Sequence, residues 1–357
     1  MEERVAKEGL ATIKIKEGVF FNKEMKNNRD ISVLFVKSME KEDKSALDAT
    51  TATGIRGIRY ILEAGAKDVV FLDKNEKAIE NCKENLALNS LQGAVVNTGI
   101  CEYAHQESRK FDVIDIDPFG SPANMIECGI KLAHDKSMLL ITATDTAVLC
   151  GAEHSACIKN YFAYPLHNHL CKEVGIRILL SKVAESASKH NFGIRPLVSI
   201  SEKHYFRIII GLEYGAVNAI TSAKSIGFVN SCSSCGYFSY GKIDKFEREE
   251  TCVFCKRPNL FAGPIWLGPI KDQKTLESVK SAGNRLLEEI KKEINVPFFY
   301  SLDVSSKFRR RSSLSREKVI EALRERSFSA SATHIDPKGI RTDASIKEFY
   351  EEFDKIR

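Results

Sequence analysis

The chain lacks any apolar run long enough to span a bilayer. Its longest, around Met138 to Ile141 and Ile208 to Leu212, fall far short of the roughly 18 residues a spanning helix requires. No transmembrane helix is expected. The N-terminus, Met-Glu-Glu-Arg, lacks the basic start and apolar stretch of a secretory leader, which predicts a cytoplasmic protein. Internal repeats and low-complexity tracts are missing, and 43% hydrophobic against 28% charged residues excludes a disordered or fibrous chain. The eight histidines show no metal-ligand spacing, and no local motif joins Ser, His and Asp, or Cys and His, as nucleophile and base. At 357 residues the chain has room for two or three domains of roughly 100–200 residues each.

Charge is unevenly spread. Residues 1–255 carry 32 Lys+Arg against 33 Asp+Glu, whereas residues 256–357 carry 21 against 15, so the excess positive charge that a polyanion would meet is C-terminal. Ten cysteines divide the same way: six are scattered singly (Cys82, Cys101, Cys128, Cys150, Cys157, Cys171) and read as small core hydrophobes, and four are paired. Cys232-Ser233-Ser234-Cys235 and Cys252-Val253-Phe254-Cys255 stand 16 residues apart, inside the spacing of a four-thiolate zinc site. Such a site has no open position, so the zinc is expected to be structural.

From Ser45 to Leu212 short β-branched runs alternate with helix-like stretches, the pattern of βα units on a parallel sheet. Strands are predicted near Ala46–Asp48, Val69–Leu72, Ala94–Asn97, Val113–Ile116 and Met138–Thr142, with helices at Arg56–Glu63, Lys77–Asn89, Ala123–Leu132 and Gly175–His190. An antiparallel pair, Leu197–Ser201 and Arg207–Leu212, closes the layout of a class I methyltransferase sheet. Before it, Val19 to Glu40 reads as a loop and an amphipathic helix capped by Asn28 or Asp30. A second domain is expected from about residue 216, giving 1–215 and 216–357.

The loop Asp48 to Gly57 joins the first strand to a helix, and Gly54 and Gly57 allow close approach of a ligand to the helix N-terminus. Asp73, 19 residues after Gly54 and at the end of the second strand, is placed to bind both ribose hydroxyls of a nucleoside cofactor. Asp117-Pro118-Phe119-Gly120 follows the fourth strand directly. An exocyclic base amine is a poor nucleophile because its lone pair is delocalised. Asp117 and the Pro118 carbonyl can each accept one of its N–H groups and localise that pair, while Phe119 stacks on the base, worth about 1–3 kcal/mol. Asp115, on the same side of the strand, reads as a buried structural group. The run Lys307-Phe308-Arg309-Arg310-Arg311, a predicted helix Arg316–Arg326 and the stretch His334 to Asp343 read as a nucleic-acid module whose Lys and Arg contact phosphates.

Together these residues resemble the tRNA (guanine-N2)-dimethyltransferases, S-adenosylmethionine-dependent enzymes that modify guanine 26 of tRNA. The resemblance spans nearly the whole chain: Glu17 to Asn22 with Asn28-Arg29-Asp30, Asp48 to Gly57, Asp73, Asp117 to Pro122, Ala143 to Gly151, the four paired cysteines and Gly263 to Gly268. It implies a class I methyltransferase (Rossmann-like) α/β domain with a C-terminal α+β zinc-binding, tRNA-contacting domain. It further implies that Arg29, Arg56 and Asp73, with the Asp48–Gly54 loop, bind S-adenosyl-L-methionine, and that Ile100 and Cys101 line its adenine. Asp117 would be the catalytic carboxylate, Pro118 its partner, and Phe20 and Phe119 the sandwich around a flipped guanine. Lys23 stands where the family usually has Pro. Two other readings fit parts of the chain: an amino-methyltransferase acting on another nucleic acid, and a non-catalytic zinc-ribbon nucleic-acid binder. A nicotinamide-dependent reductase is a third. No obligate protein partner is evident.

Overall fold

Six consecutive residues, Phe111 to Ile116, are all buried, as a central strand covered on both faces by helices requires. They form one strand in a computed structural model that describes residues 4–356. In chain order the elements are β1 (Arg4–Glu8), β2 (Ala11–Ile15), α1 (Lys26–Ser38), β3 (Lys44–Asp48), α2 (Ile55–Ala64), β4 (Ala66–Asp73), α3 (Glu76–Leu88), β5 (Ala94–Asn97), α4 (Ile100–Gln106), β6 (Phe111–Ile116), α5 (Ala123–Lys131), β7 (Ala133–Ala143), α6 (Thr146–Leu149), α7 (His154–Tyr161), α8 (Cys171–Lys189), β8 (Phe192–Glu202) and β9 (Tyr205–Tyr214). Then follow α9 (Ala216–Ala223), β10 (Ile226–Ser231), β11 (Phe238–Lys242), β12 (Leu260–Trp266), α10 (Gln273–Ser278), α11 (Arg285–Lys292), β13 (Tyr300–Ser301), α12 (Leu302–Arg309), α13 (Arg316–Glu325), β14 (Ala330–Ala332), β15 (Gly339–Thr342) and α14 (Ile346–Lys355).

Seven strands make the main sheet in the order β5-β4-β3-β6-β7-β9-β8, parallel from β5 to β7, with β9 antiparallel to both neighbours. The chain direction across the sheet reverses between β3 and β6. The carboxyl ends of those two strands therefore frame the crevice where open α/β sheets bind ligands. Register brings Asp48 beside Asp115. Gly57 carries no side chain because a Cβ there would stand 2.2 Å from the Phe71 ring, so α2 packs directly on β4.

An N-terminal hairpin, β1 and β2, is not signalled by the pattern. Its free edge is satisfied by asparagines one helical turn apart on α3: Asn85 and Asn89 each accept from and donate to the backbone of β2, at Lys14 and Thr12 respectively, and Asn81 donates to Lys14 O. The helix after it starts at Lys26, earlier than a cap at Asn28 or Asp30 would place it. Asn22 accepts from Glu24 N at 2.9 Å and caps a short 3₁₀ turn, Lys23–Met25, that leads into the helix with no side-chain cap of its own; Asn28 is inside the helix and buried.

Beyond Gly215, α9 packs on α8 and β8, and a three-stranded sheet, β11-β10-β12, lies against α8. Val229, Ala262, Ile265, Trp266 and Phe298 share one hydrophobic cluster with the residues under the main sheet. A second small sheet, β13-β15-β14, carries α12 to α14 over a separate core. Between them, buried Glu173 and Arg177 of α8 tie the halves: Arg177 donates to Trp266 O at 2.8 Å, and Glu173 pairs with Arg341 at 3.0 Å. Among the described residues no helix is long and apolar enough to cross a membrane.

Candidate active site

The cavity above β3, β4 and β6 has a volume of about 1,020 Å³, the upper end of what ligand pockets hold, and enough for a nucleoside together with a base. Phe20, Arg29, Asp48, Arg56, Asp73, Ile100, Cys101, Asp117, Pro118 and Phe119 all line it. Gly54 does not. It adopts φ 80° at the start of α2, and a Cβ there would meet Cys82 Sγ at 2.7 Å, so its role is to turn the chain.

Backbone hydrogen bonds knit the strand ends into one floor: Ala49 N donates to Asp115 O, Thr51 N to Leu72 O, and Asp117 N to Thr50 Oγ1, all at 2.9–3.1 Å. Asp73 accepts from Ala52 N and from Asn75 N, each at 2.9 Å, which aligns its carboxylate across the loop that precedes α2. Asp48 caps α2 from the neighbouring strand, accepting from Gly57 N and the Thr51 hydroxyl at 3.0 Å. Burial, reinforced by the nearby Asp115 charge, raises the Asp48 carboxyl to about 7, against the pull of Arg56. A carboxyl raised by folding contributes most below its unfolded pKa of about 4 and loses that contribution as pH climbs through about 7. Asp48→Asn is therefore expected to raise Tm by a few degrees at pH 8 and to leave it unchanged at pH 4, read by paired thermal melts.

Asp117 is held differently. One of its oxygens takes a short hydrogen bond from Arg56 Nη2, and the side chain remains 22% exposed toward the cavity. Burial pushes its carboxyl up, but the charges of Arg56 and Arg207, with hydrogen bonds from Thr142 and Arg56, outweigh that and hold it below the usual range. The group is an anion across physiological pH. Beneath it Asp115 accepts both arms of fully buried Arg207, at 2.9 and 2.6 Å, and the Tyr60 hydroxyl. Thr144 accepts from Gly120 N at 2.7 Å and donates its backbone N–H to Gly120 O, which fixes the turn after Phe119.

Phe20 and Phe119 stand at the mouth, 61% and 91% exposed, with ring centroids 6.2 Å apart and planes at 72°. Arg29, by contrast, is buried, with Nε and Nη2 on the two oxygens of Glu8 at 2.7 and 2.6 Å; Glu8 also accepts from Arg59. Sequence reasoning missed Glu8, Asp115's partner Arg207, and the clasp in which Lys203 and Glu202, at the β8–β9 turn, hold Glu24 and Asn27 over the cavity.

Cys101 corrects one expectation. It and Cys128 are not separate core thiols but a disulfide linking α4 to α5, with Cys101 on the cavity wall. The other eight cysteines are thiols. Denatured, chelated protein is expected to titrate eight thiols per chain, and ten after reduction. The basic run also differs from expectation: Arg309 pairs with Asp354 at 2.9 Å, and Arg311 donates to the Phe353 and Ile356 carbonyls, so both anchor the end of α14.

The four paired cysteines converge. Their sulfurs lie within 4.8 Å of one another, with Cys232 to Cys255 at 3.5 Å and Cys235 to Cys252 at 3.6 Å. A tetrahedron with bonds of about 2.3 Å has edges of about 3.8 Å, whereas a disulfide needs about 2.05 Å. The set fits a closed four-thiolate metal centre.

Sheet order, strand-end carboxylates and cavity together define a class I S-adenosylmethionine-dependent methyltransferase. Residues 2–354 match the family N2,N2-dimethylguanosine tRNA methyltransferase, and the chain belongs to it. A relative from Pyrococcus horikoshii named tRNA (guanine(26)-N(2))-dimethyltransferase is 36% identical over 95% of this chain and 93% of its own length. Another so named, from Methanosarcina acetivorans, is 35% identical over 92% and 90%. The solved structure of Trm1 from Pyrococcus horikoshii with S-adenosyl-L-methionine superposes with a TM-score of 0.90 at 32% identity, covering 98% of this chain and 99% of that one.

Proposed function

We propose that the chain transfers one or two methyl groups from S-adenosyl-L-methionine to the exocyclic N2 of guanine 26 in tRNA, giving N2,N2-dimethylguanosine. The observation that carries this is the ionised Asp117 at the end of β6, opening on a cavity shared with Asp73 and flanked by two exposed phenylalanines. Relatives alike over more than nine-tenths of the chain bear the corresponding name.

The donor, when bound, supplies an electrophilic sulfonium methyl. The chain's own residues position the acceptor. Asp73 receives ribose hydroxyls, the Asp48–Gly54 loop and Arg56 border the cofactor's amino-acid end with Arg29 behind them, and Ile100 with Cys101 meets its adenine. Asp117 accepts one N–H of the guanine amine and the Pro118 carbonyl the other, and the carboxylate stabilises the positive charge that develops on nitrogen. Phe20 and Phe119 hold the extruded base, offsetting the few kcal/mol of unstacking. A parallel sandwich requires one ring to rotate from the present edge-to-face arrangement. After the first transfer, rotation of the methylated amine presents its remaining N–H to the same carboxylate.

Residues 216–357 act as a second domain that meets tRNA, with a structural zinc on Cys232, Cys235, Cys252 and Cys255 as its staple. A tRNA substrate supports a cytoplasmic enzyme. The test is incubation with radiolabelled S-adenosylmethionine and unmodified tRNA, followed by nucleoside chromatography. Label in N2-methyl- and N2,N2-dimethylguanosine is expected. Label in another nucleoside would overturn the base assignment.

A further inference from the structure

Arg56 is 4% exposed, and its guanidinium bonds Asp117 at the end of β6 and two residues of α1 beneath the cavity. Nη2 holds one oxygen of Asp117; Nη1 donates to Asn28 Oδ1 at 3.0 Å and Ser32 Oγ at 3.3 Å, with Asp115 at 3.6 Å. Ser32 in turn accepts from Arg207 Nη2 at 2.8 Å, and Arg207 spans Asp115 and Thr142. The result is an alternating row, Asp117, Arg56, Asp115, Arg207, in which Asp117 and Arg56 line the cavity and Asp115 and Arg207 lie beneath it. A guanidinium reaching from α2 and gripped by α1 and the end of β6 at once has one available orientation.

We propose that Arg56 is the positioning residue for Asp117: it occupies one carboxylate oxygen so that the other is the one turned to the guanine amine, beside the Pro118 carbonyl, and the Asp115–Arg207 pair fixes Arg56 in that pose. The proposal rests on the reading of Asp117 as that acceptor and assigns Arg56 a task separate from bordering the cofactor. A carboxylate free to rotate presents either oxygen at a range of angles, and in-line transfer tolerates little misplacement of the acceptor nitrogen. Arg56 from α2 and Arg207 from β9 act on Asp117 directly and Thr142 of β7 donates to it, while Asp115, Tyr60 and Asp48 surround Arg56, and Tyr205 of β9 stands near both arginines. Arg56 and Arg207 are the only cations among them. Without Arg56 the burial of Asp117 is opposed only by Arg207 and the Thr142 hydrogen bond, and protonation comes at higher pH.

The experiment compares Arg56→Ala, Arg56→Lys and Asp117→Asn with the parent enzyme. It measures kcat at saturating tRNA and S-adenosylmethionine across pH, cofactor affinity by calorimetry, and a melt of each variant. Arg56→Ala is expected to lose kcat by on the order of 100-fold. The acid limb of its pH profile should move up by about one unit or more, and millimolar guanidinium should restore part of the rate. Arg56→Lys keeps the charge without the fork, so its acid limb should return toward the parent while kcat stays about 10-fold down. If Arg56→Ala fails to fold, Arg56→Gln carries the acid-limb comparison and Arg56→Lys the loss of kcat. Arg56→Ala in the Asp117→Asn background should cost little more, because the two act as a unit. Weakened cofactor binding with saturated kcat and acid limb unchanged, or fully additive losses in the double variant, would overturn the positioning role. Full turnover by Asp117→Asn would instead remove the acceptor reading on which it stands.

Discussion

Asp117→Asn is expected to lower single-turnover methyl transfer by about 10²–10³-fold, equivalent to about 2.7–4 kcal/mol, while affinity for tRNA and for S-adenosylmethionine stays within about 2-fold. The substitution preserves shape but reverses polarity where it matters. Arg56 can only donate, so the new amide must turn its oxygen to Arg56 and its NH₂ to the cavity. A donor then faces the guanine amine, itself a donor, and the negative charge that stabilises the developing ammonium is gone. Folding survives because Arg56 keeps Asn28, Ser32 and the nearby Asp115. The check is rapid-quench transfer with enzyme in excess, beside filter binding and a melt. Unchanged turnover in a folded variant would remove Asp117 from the mechanism.

How much of this was legible in the sequence follows from how local each signal is. Asp73 and Asp117 end strands whose apolar runs are unmistakable, and the backbone rule for open α/β sheets places strand-end residues in the crevice. The four cysteines announce themselves by spacing alone. What stayed hidden depends on contacts between distant segments. Arg207 meets Asp115 across 92 residues, on an antiparallel strand whose sequence shows only an apolar run with a charge near each end. Glu8 reaches Arg29 because asparagines on α3 hold the N-terminal hairpin in place, and asparagine on a helix ordinarily reads as surface. The Cys101–Cys128 bond joins residues 27 apart, a separation with no meaning until α4 and α5 are side by side. Arg309 and Arg311 show the reverse case: a basic run read as a phosphate contact is half consumed in tying down its own C-terminal helix.

Removing the metal from the four-cysteine centre is expected to cost more stability than any single substitution in the site. Cys232, Cys235 and Cys252 are 0–1% exposed and belong to the same core as Leu302, Val319, Phe349 and Phe353. Tyr350 donates to Cys235 O at 2.8 Å and stacks on Phe254 of the second knuckle at 5.5 Å and 6°. The knuckles are therefore the floor on which α12 to α14 rest, and four thiols brought within 4.8 Å have no other strong partner once the ion leaves. Structural zinc sites in small domains bind with apparent free energies of about 10–16 kcal/mol. If half of the lower figure is lost, at roughly 2–4 °C per kcal/mol for a unit of this size, Tm falls by about 10–20 °C. The residues lining the cavity lie between Gly18 and Tyr205, outside that module, so cofactor affinity should persist while tRNA affinity drops. Elemental analysis should give one zinc per chain in the parent and none in Cys252→Ser. Intact thiols without stoichiometric metal, or a chelated protein that melts where the parent does, would dismiss the centre as a structural site.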